Sequence, residues 1–188
     1  MALEIECKAR VESIPLIRKA IESLEGISGK TPVMKRDTYY ARLEDRESTM
    51  PPRKAAKFRI RETDGTVVVT SKVKRMEAGV EINREHEFAV SDKESFNAFA
   101  ASLGFYPWMV KEKQGTCWKL GNITIELVTV AGLGDFVEIE TLLDPSESSR
   151  SSEVKHQLFS LLTLLGIPHS SIESRYYIDM LVAQLKNR

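Results

Sequence analysis

The sequence has few cysteines and no excess of either charge. Its 188 residues include only Cys7 and Cys117 and no CxxC pair, too few for a disulfide framework. Lys plus Arg and Asp plus Glu each number 27, a balance that argues against nucleic-acid binding through bulk charge. This balance still allows a local positive pocket that is offset elsewhere on the protein.

Long apolar runs are also missing. No run approaches the roughly 20 apolar residues of a membrane-spanning helix. Acidic residues occur within the first ten positions, so the N-terminus does not have the pattern of a signal peptide. The histidines at 86, 156 and 169 are scattered and suggest no zinc site. These absences predict a reduced, cytoplasmic protein that does not bind a membrane.

Strand-like alternation dominates the chain up to about Leu142, and helical patterns follow it. The length is that of one domain, which we expect to span residues 1–188. The predicted strands are Leu3–Ala9, Lys35–Arg42, Lys57–Glu62, Val67–Lys74, Glu81–Val90, Trp108–Lys113, Gly115–Leu120, Ile123–Val130 and Phe136–Leu142. Hairpin turns are expected at Asp64-Gly65 and Gly121-Asn122.

Helices are predicted at Ser13–Leu24, Asp92–Leu103, Ser152–Leu165 and Ser174–Lys186. In the second of these, Phe96, Phe99, Ala100 and Leu103 are expected to form the buried face. About eight strands with few edge signals favour an α+β fold, a closed eight-stranded antiparallel barrel with helices packed outside. A small open sheet would need only about half as many strands.

Two segments are predicted to be loops. The polar stretch Glu44–Ala56 contains Pro51-Pro52 and is expected to be a mobile loop. The segment EGISGKTP at 25–32 resembles a phosphate-binding Walker A motif. However, Leu24 stands where that motif needs its first glycine, and no predicted strand precedes it. We therefore interpret it as a loop.

Charged residues recur at alternate positions within six strands, and residues i and i+2 of a strand share a face. For a single strand, a solvated outer sheet face is the simpler explanation. Six strands together favour another one, in which the apolar face meets the helices and the charged face lines the barrel interior. The sets are Glu4, Glu6 and Lys8; Arg59 and Arg61; Lys72 and Lys74; Glu85 and Glu87; Lys111 and Lys113; and Glu138 and Glu140.

A charged interior is costly unless its groups are paired or bind ligands. Arg and Lys suit a polyanion, because Arg can bind phosphate oxygens through two parallel hydrogen bonds and Lys acts as a point charge. Carboxylates suit Mg²⁺ or Mn²⁺, which prefer oxygen ligands. The pattern therefore predicts a metal-dependent triphosphate site inside the barrel.

Several motifs in one order resemble the CYTH, or triphosphate tunnel, superfamily. They are ExExK at 4–8, KRDTYY at 35–40, FRIR at 58–61, TSKVK at 70–74, REHE at 84–87, KEK at 111–113, GLGDFVEIE at 132–140 and SRYYIDML at 174–181. The resemblance covers nearly the whole chain, and the GLG…EIE block is its most specific part. It implies an eight-stranded tunnel barrel.

The resemblance also implies a role for each charged set. Divalent metal, Mg²⁺ or Mn²⁺, would be held by Glu4, Glu6, Glu138 and Glu140. Triphosphate would be bound by Lys8, Arg59, Arg61, Lys72, Lys74, Lys111 and Lys113. Glu4, Glu6, Lys8 and Glu138 form the implied catalytic set, and Glu85, Glu87 and Glu126 are further tunnel acids.

Within the superfamily the chain most resembles class IV adenylyl cyclases, which implies conversion of ATP to cyclic AMP and pyrophosphate. The alternatives are an inorganic or thiamine triphosphatase and a non-catalytic nucleotide- or polyphosphate-binding module. The last is favoured by Val128, which stands where the family usually has Asp; Glu126 lies on the same strand face and is a candidate substitute. The expected partner is a nucleoside or inorganic triphosphate, and the oligomeric state is left open, with a homodimer as one alternative.

Overall fold

A computed structural model describes residues 3–47, 52–63 and 66–186 of the chain. Eight antiparallel strands close into a barrel in the order β1-β5-β4-β3-β2-β6-β7-β8, which confirms the predicted fold. The strands are β1 (Leu3–Arg10), β2 (Ile27–Arg42), β3 (Phe58–Thr63), β4 (Thr66–Glu77), β5 (Val80–Val90), β6 (Phe105–Leu120), β7 (Ile123–Val130) and β8 (Gly134–Leu143). The helices are α1 (Ile14–Glu22), α2 (Pro52–Ala55), α3 (Lys93–Ser102), α4 (Ser151–Leu164) and α5 (Tyr177–Lys186).

The main hydrophobic core lies between the outer face of the barrel and the helices. In β1 the residues Ile5, Cys7 and Ala9 are fully buried and belong to the same core as Val154 and Leu158 of α4. Because side chains alternate along a strand, this packing turns the intervening charged residues toward the barrel interior. None of the helices among residues 3–47, 52–63 and 66–186 is long and apolar enough to cross a bilayer.

The largest differences from the predicted strands concern β2 and β6. β2 begins at Ile27, so the interpretation of residues 25–32 as a loop is wrong for most of that segment. A bulge between Ser28 and Thr31 absorbs the local irregularity, and Gly29 supplies the positive φ of 65°. β6 runs unbroken from Phe105 to Leu120, so the two strands predicted there are one.

Gly115 does not interrupt β6 because its role is close packing against the neighbouring strand. A Cβ added at this position would lie 2.1 Å from the carbonyl oxygen of Leu127 and 2.7 Å from the Cα of Val128. Only glycine permits this approach of the two backbones. In contrast, Gly121, with φ of 59°, forms the predicted turn between β6 and β7.

Asp92 caps α3, and its carboxylate accepts hydrogen bonds from the backbone N–H groups of Glu94 and Ser95. The predicted buried face of this helix is partly wrong, because Phe99 and Leu103 are 57% and 58% exposed. Only the Ala100 side of the helix packs closely on the barrel. Because a short helix on the barrel surface contacts the sheet along one narrow face, apolar residues at the edges of that face stay exposed.

The remaining differences concern the connections. The segment 44–56, expected to be a loop throughout, contains the short helix α2, and its residues 48–51 lie outside the described residues. The Asp64-Gly65 turn also lies outside them. The last helix begins at Tyr177 rather than at the predicted Ser174.

Candidate functional site

The inward side chains of the strands line a cavity of about 470 Å³ inside the barrel. Of the charged residues predicted for the site, Lys8 and Glu126 do not line this cavity and all the others do. Those lining it are Glu4, Glu6, Arg59, Arg61, Lys72, Lys74, Glu85, Glu87, Lys111, Lys113, Glu138 and Glu140. The fold therefore brings charges from β1, β3, β4, β5, β6 and β8 into one chamber.

Tyr176, Tyr177 and Ile178, just before and at the start of α5, line the cavity. Tyr177 packs edge-on against Phe136 with ring centroids 5.0 Å apart, and Met180 joins the same apolar cluster. Tyr176 and Ile178 pack with Tyr39 in another cluster. Packing against β8 and β2 thus holds these three cavity-lining residues in place.

Three carboxylates come together on β1 and β8. One oxygen from each of Glu4, Glu6 and Glu140 lies within 4.8 Å of the others. Burial and the nearby carboxylates of Glu81 and Glu138 raise the pKa of Glu6 well above its usual value. Burial and repulsion from Glu4 and Glu126 raise the pKa of Glu140 to about 7. Three crowded acidic oxygens fit a divalent cation, because such an ion prefers oxygen ligands and offsets this repulsion.

Glu4 is held by residues on β4 and β5. Lys72 Nζ lies 2.9 Å from its carboxylate, and Asn83 Nδ2 donates a hydrogen bond of 3.3 Å. Burial alone would raise the pKa of Glu4, but the hydrogen bond with Glu85 and the charge of Lys72 lower it. Asn83 is fully buried and was not predicted from the sequence. Asn83 alternates with Glu81 and Glu85 along β5, and this alternation could have indicated that it faces the barrel interior.

Glu138 lies next to lysine rather than within the trio of carboxylates. Lys113 Nζ is 2.6 Å from both Glu138 and Glu126, and the Tyr177 hydroxyl donates to Glu138 at 2.7 Å. Burial opposes ionisation of Glu138, yet the charges of Lys113 and Lys111 bring its pKa down to about 2. Glu138 is therefore an ionised counter-charge for the lysines of β6.

A carboxylate that the sequence analysis did not single out binds three of the predicted cations. Asp37 is fully buried on β2 and lies 3.1 Å from Arg59 Nη1 and 3.1 Å from Lys111 Nζ. Arg61 donates to it twice, from Nε at 2.7 Å and from Nη2 at 3.0 Å. Asp37 alternates with Lys35 within the KRDTYY motif at 35–40, and so it belongs to the same pattern as the predicted charged sets.

Lys8 forms a buried ion pair with Glu81, which sequence reasoning also missed. Its Nζ lies 5.4 Å from the ring centre of Tyr177. The Lys74 Nζ lies 4.8 Å from the ring centre of Tyr176. Within the described part of the chain, Lys74 is a cation of the cavity wall that forms no ion pair with a carboxylate.

Val128 belongs to an apolar cluster inside the barrel. It is fully buried and belongs to one cluster with Val33, Val130 and Phe136. Glu126, one step along the same face, pairs with Lys35 at 2.5 Å as well as with Lys113. Glu126, the carboxylate of β7, thus lies two residues away from Val128 and behind Lys35 and Lys113 of the cavity wall.

Comparison with known proteins agrees with this geometry. The family model described as "CYTH domain" matches residues 2–177. A Methanocaldococcus jannaschii protein provisionally named an adenylate cyclase is 27% identical over 123 residues, which are 65% of this chain and 69% of that protein.

Solved structures share the whole architecture. A Pyrococcus horikoshii protein is 29% identical with a TM-score of 0.73, and the match covers 94% of this chain and 98% of that one. A Vibrio parahaemolyticus protein provisionally described as an adenylate cyclase has a TM-score of 0.74 at 17% identity, covering 96% and 98% of the two chains. At that identity the second likeness concerns the fold alone.

Proposed function

The chain belongs to the CYTH domain family, and from this membership we propose that it is a divalent-metal-dependent enzyme that binds a triphosphate inside its barrel. The activity we propose is that of an adenylyl cyclase, which forms cyclic AMP and pyrophosphate from ATP. We also treat residues 1–188 as one domain.

The observation that carries this proposal is the arrangement of opposite charges within a single cavity. The trio of Glu4, Glu6 and Glu140 lies on β1 and β8, whereas Arg59 and Arg61 lie on β3 and further lysines lie on β4 and β6. A linear polyanion with several phosphate groups can contact more of these cations at once than a single phosphate can. Burial makes each such charge-assisted contact stronger than it would be in bulk water.

In the cyclase reaction the 3′-oxygen of ATP attacks the α-phosphorus and the bond to pyrophosphate breaks. The hydroxyl proton passes to water, and the pyrophosphate departs with the electron pair of the broken bond. A divalent cation held by Glu4, Glu6 and Glu140 would supply positive charge beside the reacting phosphate. The Arg and Lys side chains of the cavity would orient the β- and γ-phosphates and stabilise negative charge on the leaving group.

A product assay tests this activity. Purified protein is incubated with ATP, inorganic triphosphate or thiamine triphosphate, each with Mg²⁺ or Mn²⁺. Cyclic AMP and pyrophosphate in equal amounts are expected from ATP. Release of inorganic phosphate instead would make the protein a triphosphatase, and binding without turnover would make it the non-catalytic module that Val128 favours.

Triphosphate is expected to stabilise the protein strongly against heat. A ligand that binds only the folded state adds about 2.7 kcal/mol at a hundredfold excess over Kd. For a chain of this size the midpoint should rise by roughly 5–10 °C. The gain should shrink at high salt, because the contacts are ionic.

A thermal-shift assay with ATP, triphosphate and AMP, each with and without Mn²⁺, measures this effect. AMP is the control, since it has a single phosphate. If AMP raises the midpoint as much as triphosphate does, the cavity has no preference for a polyphosphate.

A further inference from the structure

We infer that Asp37 is a positioning residue that holds Arg59, Arg61 and Lys111 in the arrangement that selects a triphosphate over smaller anions. This inference rests on the proposed function, because it concerns the selectivity of the same cavity. It adds a residue that lies outside the cavity wall.

The location of Asp37 is the first observation. Its side chain is fully buried and does not line the cavity, whereas Arg59, Arg61 and Lys111 do. The carboxylate therefore lies behind the three cations, on the side away from a ligand. A group in this position can act on a bound anion only through the residues in front of it.

The hydrogen bonds show which donors Asp37 occupies. Arg61 uses Nε and Nη2 on the carboxylate, which fixes the plane of its guanidinium and leaves Nη1 for another acceptor. Arg59 uses Nη1, and within the described part of the chain its buried Nε has no hydrogen-bond partner. Each arginine thus retains donors whose direction depends on its contact with Asp37.

The charges explain why a carboxylate is needed here. The buried Arg59 and Lys111 and the partly buried Arg61 repel one another, and one central carboxylate offsets part of that repulsion. Burial disfavours the ionised form of Asp37, but Lys111, Arg59 and Arg61 outweigh this and hold its pKa well below the usual value. Asp37 therefore stays charged, and the cluster keeps two net positive charges for an anion.

Removal of the Asp37 charge distinguishes two effects, the positioning of the three cations by Asp37 and the general attraction of the cluster for anions. In Asp37→Asn the cluster gains one net positive charge, so long-range attraction should favour every anion, including monophosphate. If Asp37 sets the geometry, however, the cations turn away from one another and lose the arrangement that matches several phosphate groups. The ratio of monophosphate Kd to triphosphate Kd distinguishes these two effects.

The experiment is calorimetric titration of the wild type and Asp37→Asn with inorganic triphosphate and with inorganic phosphate, in EDTA to prevent turnover. We expect the ratio of the two Kd values to fall at least about tenfold in Asp37→Asn. Asp37→Glu, which keeps the charge but moves it by one methylene, should recover only part of the selectivity. Glu173→Gln is the matched control, since Glu173 is a buried carboxylate that pairs with Arg10 and Arg175 outside the cavity lining.

An unchanged ratio in Asp37→Asn would overturn the inference. If Asp37→Asn does not fold, Asp37→Glu alone tests the inference, and a ratio equal to that of the wild type would overturn it. A wild-type protein that binds triphosphate no better than phosphate would instead contradict the proposed function. The two failures are therefore distinguishable.

Discussion

Glu6→Gln is expected to lower metal-dependent turnover by at least about a hundredfold while the protein stays folded. Glu6 belongs to the carboxylate trio with Glu4 and Glu140, and a neutral amide is a much weaker ligand for Mg²⁺ or Mn²⁺. A catalytic metal contributes several kcal/mol to transition-state stabilisation, and each 1.4 kcal/mol corresponds to about tenfold in rate.

The fold should tolerate this change because neighbouring carboxylates repel the ionised side chain of Glu6. Burial and the carboxylates of Glu81 and Glu138 raise its pKa, so its ionised form is disfavoured in the protein without metal. Removal of the charge relieves that repulsion, and Gln has nearly the same shape. The free energy of unfolding in EDTA should therefore be close to that of the wild type.

Turnover with Mn²⁺ and direct Mn²⁺ titration are the two measurements. Glu138→Gln is an informative comparison, because the Glu138 oxygens already bind Lys113 and Tyr177. We expect Mn²⁺ affinity to fall less in Glu138→Gln than in Glu6→Gln. Normal turnover of Glu6→Gln would show that the metal binds elsewhere.

Arg61→Ala is expected to weaken triphosphate binding by roughly 10- to 100-fold and monophosphate binding much less. A hydrogen bond to a charged group contributes about 1.5–3 kcal/mol, which sets this range. Triphosphate spans cations on several strands, so the loss of one cation always removes a contact. A single phosphate can bind to the remaining cations, for example Lys72 or Lys113.

Arg59→Ala and Lys72→Ala should behave in the same way, since both side chains also line the cavity. Arg36→Ala is the control, because Arg36 lies on the outer face of β2 and pairs only with the half-exposed Glu62 and Glu112 in the described residues. Calorimetric titration of each variant with triphosphate and phosphate gives both affinities. Equal losses for the two ligands would mean that Arg61 supports the structure of the cavity without selecting its ligand.

Much of the fold could be predicted because alternation reports which face of a strand is buried. Ile5 and Cys7 are apolar and fully buried against the helices, so Glu4 and Glu6 had to face the opposite side. The errors fall where local signals and tertiary contacts disagree. Gly115 looks like a strand break, but it permits the close approach of β7 to β6.

The missed site residues have a different cause. Asp37, Glu81 and Asn83 alternate with predicted residues, but alternation says only which face a residue occupies. It does not say which residues on other strands lie opposite, and that depends on the register of all eight strands. Asp37 pairs with Arg61 in the β2–β3 ladder and with Lys111 in the β2–β6 ladder, and neither pairing is visible in the sequence.

By itself the sequence determined that charges of both signs line one interior face and that the chain closes into a barrel. The first follows from the period-two pattern, in which apolar residues need burial and charged residues need partners. The second follows from about eight strands with few edge signals. Only the tertiary structure decided which charges meet. It grouped Glu4, Glu6 and Glu140 as a trio, assigned Glu138 to Lys113 and placed Asp37 behind three cations. Strand register and barrel closure set these distances, because they bring together residues far apart in the chain, such as Glu4 and Glu140, which are 136 positions apart.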